Sequence, residues 1–63
     1  MNPAELVGVD RAELLRTVDD MAELPLFQHR PELRRPRLLA LLDDDALRVL
    51  VAELVAEFRA ALR

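Results

Sequence analysis

Three groups of side chains in this 63-residue chain are of types that do chemistry in other proteins. They are the carboxylates Asp19-Asp20 and Asp43-Asp44-Asp45, the single imidazole of His29, and the guanidinium cluster Arg30, Arg34, Arg35 and Arg37. General acid–base catalysis needs two carboxyls that converge in a cleft with their pKa values set apart. Neighbouring residues of a helix point about 100° apart and diverge, so both acid runs read as solvated faces and helix caps. Asp43 to Asp45 also lacks the alternating ligands, central glycine and distal Glu of a calcium loop. His29 has no Ser or Cys to activate, and Thr17 is the only hydroxyl side chain, so one chain cannot assemble a nucleophilic triad. A single His without Cys makes no zinc site, and the solitary Gly8 makes no phosphate loop. The expectation is a non-enzyme with no catalytic residue, no cofactor and no metal.

The arginines hold more promise. Guanidinium groups pair with carboxylate or phosphate in bidentate fashion. From Gln28 to Arg37 the cluster sums to +3, four Arg against Glu32, while the net charge of the whole chain is −3, so the remainder carries −6. An acidic body with a basic middle disfavours general nucleic-acid binding, which needs cations on one side without nearby carboxylates. The absence of interleaved aromatics disfavours single-strand binding in particular. Docking on the chain's own acids, or on an acidic protein, suits the cluster better.

Helices must position these groups. Fourteen Leu and nine Ala against six Val and no Ile predict an all-α fold. Asn2-Pro3-Ala4-Glu5 has a capping residue followed by Pro at the first helical position, and Gly8 ends that short turn. Asp10 and Glu13 form a capping box, with Val9 stapled on Leu14, and open a helix near 10–24 with Leu14, Leu15, Val18, Met21 and Ala22 on one face. Pro25 stops it. Residues 25–36 read as a proline-rich, extended connector with Leu26 or Phe27 tucked inward. A short turn after Pro31 then leads to a helix near 36–42, where Leu38, Leu39, Leu41 and Leu42 imply a nearly buried segment.

Asp43 caps a last helix near 44–62, with Asp44 and Asp45 in its first turn and Asp44 placed to pair with Arg48. On a helical projection Leu47, Leu50, Val51, Leu54, Val55, Phe58, Ala61 and Leu62 share an arc about 140° wide, with Leu54 and Phe58 at its centre. Opposite them Val49, Ala52, Ala56 and Ala60 form a narrow stripe that lets a second helix approach closely.

The order of a helix, the Leu24-Pro25 break, an arginine-rich turn and a leucine-rich segment, over residues 14 to 42, is similar to the small helical effector-associated, death-like adaptor domains of bacterial conflict systems. The resemblance implies no site residue and leaves the last helix outside it.

A single helical domain, 1–63, of this size has a marginal core, and in the absence of Cys the staple open to it is oligomerisation. The expected function is therefore a non-enzymatic protein–protein interaction module, a homo-oligomerising adaptor or small accessory subunit. Its partner-binding residues would be Arg30, Arg34, Arg35, Arg37, Val49, Ala52, Ala56 and Ala60. A small DNA-associated regulator requires all four arginines on one exposed surface. An acidic decoy or inhibitor requires the carboxylates to line one face. No apolar run reaches the roughly 18 residues of a membrane span and no signal peptide is evident, so a cytoplasmic location is expected. Exclusive use of Arg over Lys suggests a GC-rich bacterial genome.

Overall fold

Asn2 opens the chain's first turn by accepting a hydrogen bond from the Ala4 amide at 3.0 Å. The 3-10 turn that follows, Pro3–Leu6, ends where Gly8 takes φ +97°, a left-handed conformation that costs only glycine nothing. The computed structural model describes all 63 residues. Its helices are α1 (Arg11–Ala22), α2 (Pro36–Leu39) and α3 (Asp44–Ala61), and there is no strand. The all-α small helical fold expected from composition is the one observed.

The helix expected near 10–24 ends at Ala22. Pro25 sets the reason: its ring forces Leu24 into an extended conformation, φ −69° and ψ 141°, so the helix closes beforehand. Asp10 has the backbone geometry of a cap, yet its side chain makes no capping bond, and the Asp10–Glu13 box is not formed as expected.

The connector is a second correction. It is not extended but folded into two 3-10 turns, Pro25–Phe27 and Pro31–Arg34. Each starts at a proline, whose fixed φ suits a first turn position and whose missing N–H is no loss there. The turns close through Gln28 N–H to Pro25 O at 3.2 Å and Arg35 N–H to Glu32 O at 3.3 Å. This coiling brings Phe27 to 1% exposure and leaves Leu26 outside.

A third correction concerns 36–42. Regular helix stops at Leu39, and only turn bonds, such as Leu42 N–H to Leu39 O at 3.1 Å, carry the chain on. A single helical turn has one inward face, so Leu39 is buried while Leu38 and Leu41 lie open. The fourth concerns α3, which matches the expected 44–62 to within a residue but not in its core. Leu47, Val51 and Leu54 are buried, whereas Phe58 is 37% and Leu62 71% exposed. Length explains this. At about 1.5 Å per residue, the 18 residues of α3 outrun the 12 of α1 that pack against it. Every residue from Ala56 to Arg63 is exposed.

One cluster forms the core: Leu14, Val18 and Ala22 of α1, Phe27 and Leu33 of the two turns, Leu39 of α2, and Leu47, Val51 and Leu54 of α3. The N-terminal turn lies on α3, and the Pro31–Arg34 turn packs on α1 and α2. Asp43 caps α3 by accepting from the Ala46 amide at 2.7 Å. Asp43→Ala is expected to lower stability by about 0.5–2 kcal/mol, read as a lower urea midpoint with unchanged slope.

Candidate functional site

The acid run at the start of α3 is occupied by its own chain. Asp43 caps, Asp45 pairs with Arg48, and Asp44 pairs at 2.9 Å with Arg11 rather than with Arg48 as its spacing suggested. Arg11 also donates to the Ala40 carbonyl at 2.9 Å, so one guanidinium ties the start of α1 to the end of α2 and the start of α3. Sequence periodicity could not expose this tie, because Arg11 and Asp44 are distant in the chain. No group of three or more His, Cys, Asp or Glu side chains is disposed to hold a metal ion. No helix is long and apolar enough to cross a membrane.

The arginine cluster divides. Arg30 pairs with Glu32 at 3.0 Å and reaches Glu57 of α3 at 3.5 Å. Arg34 donates from Nε and Nη2 to the Ala22 carbonyl at 3.4 Å, neutralising the carbonyl end of α1. Arg35 and Arg37 are exposed and in no ion pair. Arg34, Arg35 and Arg37 line one shallow groove with Pro36 and Leu38, and Arg30 lies outside it.

The Arg30 hydrogen bond, helped by a backbone hydrogen bond, holds the Glu32 carboxyl below its ordinary value of 4.5. The same bond raises Arg30, with the field of Glu57 adding to it. A carboxyl lowered in the folded state contributes stability that is whole above its ordinary pKa and is lost as pH falls through the lowered one. Glu32→Gln should therefore narrow the difference in urea midpoint between about pH 7 and about pH 3. An unchanged difference would mean that this pair adds nothing.

The alanine stripe is broken. Ala52 is 4% exposed and enclosed by its own chain, which removes it from any surface offered to a partner. Val49, Ala56 and Ala60 are exposed. The exposed apolar side chains that sequence reasoning placed inward are Phe58 and Leu62, at the outer end of the core arc, and, elsewhere in the chain, Leu38 and Leu41. The unequal lengths of the two amphipathic helices were the available signal.

Comparison with protein-family models, curated proteins and solved structures finds no match to this chain.

Proposed function

We propose that this protein is a non-enzymatic protein–protein interaction module that associates with a second copy of itself through the outer end of α3. The observation that carries the reading is that α3 continues its core-facing line past its own core. Leu47, Val51 and Leu54 are covered, and Phe58 and Leu62, on the same line, are not. A helix keeps an apolar stripe where something packs on it, and its own chain leaves Phe58 partly and Leu62 largely open.

Only ten residues are buried, and a core of that size leaves little margin. Pairing two such ends about a two-fold axis would place the same residues on both sides, as a closed homodimer requires.

The test is thermal unfolding over a hundredfold range of protein concentration. Self-association raises the melting temperature with concentration, and a melting temperature independent of concentration would overturn the reading. The engagement of Arg30 with Glu32 and Glu57 favours this reading over a DNA-associated regulator.

A further inference from the structure

Two depressions adjoin where Arg34 and Pro36 line both. The first is the basic groove of Arg34, Arg35 and Arg37 with Leu38 on its wall. The second is a cleft of about 170 Å³ lined by Leu15, Leu33, Leu39 and Asp19, which shares Arg34 and Pro36 with the groove. Neither Arg35 nor Arg37 meets a carboxylate of its own chain, although carboxylates outnumber cations twelve to nine. An acidic protein that leaves these cations unpaired, beside a leucine-lined cleft, presents a two-part surface.

We propose that groove and cleft together bind a short acidic protein segment, whose carboxylates meet Arg35 and Arg37 and whose one large apolar side chain enters the cleft. Guanidinium groups are the side chains best shaped for carboxylates. The cleft is similar in volume to the roughly 150 Å³ cavity that admits benzene, enough for a leucine-sized group. Position favours a short segment over a nucleic acid. Asp19 lines the cleft, so the segment's carboxylates must lie on the groove side of its apolar residue, and the chain outside the arginine segment carries a charge of −6. A long polyanion would meet that field beyond the groove, whereas a few carboxylates gather at short range with little exposure to it. The site is separate from the end of α3, so it stands or falls independently of self-association.

The test is fluorescence anisotropy of the unmodified protein with a labelled peptide, Asp-Asp-Asp-Leu with its C-terminus amidated, a peptide with Ser in place of Leu, and a labelled DNA duplex. Saturable binding of the first peptide is expected, weakened at least tenfold in the double variant R35Q/R37Q and weakened also by Ser in place of Leu. Arg35 and Arg37 make no side-chain bond within the chain, so circular dichroism of the double variant should match that of the parent. Four results would overturn the proposal: no binding of the peptide, equal binding by R35Q/R37Q, tighter binding of the duplex, or a fall in assembled mass in R35Q/R37Q. The last would assign the groove to a second copy.

Discussion

Phe27→Ala should remove a large part of the protein's folding stability, read as a sharply lower urea midpoint. Phe27 is one of only two aromatic residues, is 1% exposed, and belongs to the single core cluster that α1, the two proline turns, α2 and α3 share. Truncating a buried Phe removes its transfer free energy and leaves a cavity, at a cost of about 3–5 kcal/mol. A 63-residue domain has about 3–9 kcal/mol in total, so the substitution removes a third of it or more. The cost should be specific to the inward residue of the turn. Leu26→Ala, one position away and 37% exposed, should shift the urea midpoint far less. Equal midpoints for the two variants would mean that the Pro25–Phe27 turn does not drive Phe27 into the core.

Phe58→Arg should have the largest effect on assembly and a small one on the fold. The arc of α3 placed Phe58 among the central core positions, but its exposure of 37% moves it to the proposed contact between copies. An Arg there puts a like charge on both sides of a two-fold interface and removes the ring that would fill it. The expected result is a monomer of 7.2 kDa with helical circular dichroism retained. Leu54→Ala, one turn earlier and fully buried, should instead cost about 2–5 kcal/mol of folding stability. Ala56→Arg lies on the opposite side of α3, on the exposed remnant of the alanine stripe, and should leave the assembly intact. If Ala56→Arg dissociates it and Phe58→Arg does not, the contact lies on Val49, Ala56 and Ala60.

What could be read from the residues alone was local and periodic. Asn2 and Asp43 cap as their types predict, Gly8 takes the left-handed conformation expected of it, and α3 runs where the Leu and Val spacing places it. Each of these depends on neighbours within a few positions. What could not be read depends on lengths and distant partners. Leu38 and Leu41 are as apolar as Leu39, and only the brevity of α2 decides which of them faces inward. Ala52 and Ala56 are one residue type on one stripe, yet Ala52 is enclosed by its own chain and Ala56 is not. The arginines divided for the same reason. Arg30 and Arg34 find Glu57 and the Ala22 carbonyl only once the two proline turns fold the connector back on the helices. The turns themselves were masked because proline signals a break from regular helix equally well when the chain extends and when it coils.

Static light scattering after size-exclusion chromatography, at concentrations from about one to several hundred micromolar, tests self-association most directly. The account predicts a mass that is a multiple of 7.2 kDa at the upper end and declines toward the monomer on dilution. A mass of one chain across the whole range would contradict it and leave the outer end of α3 without the partner its apolar line implies.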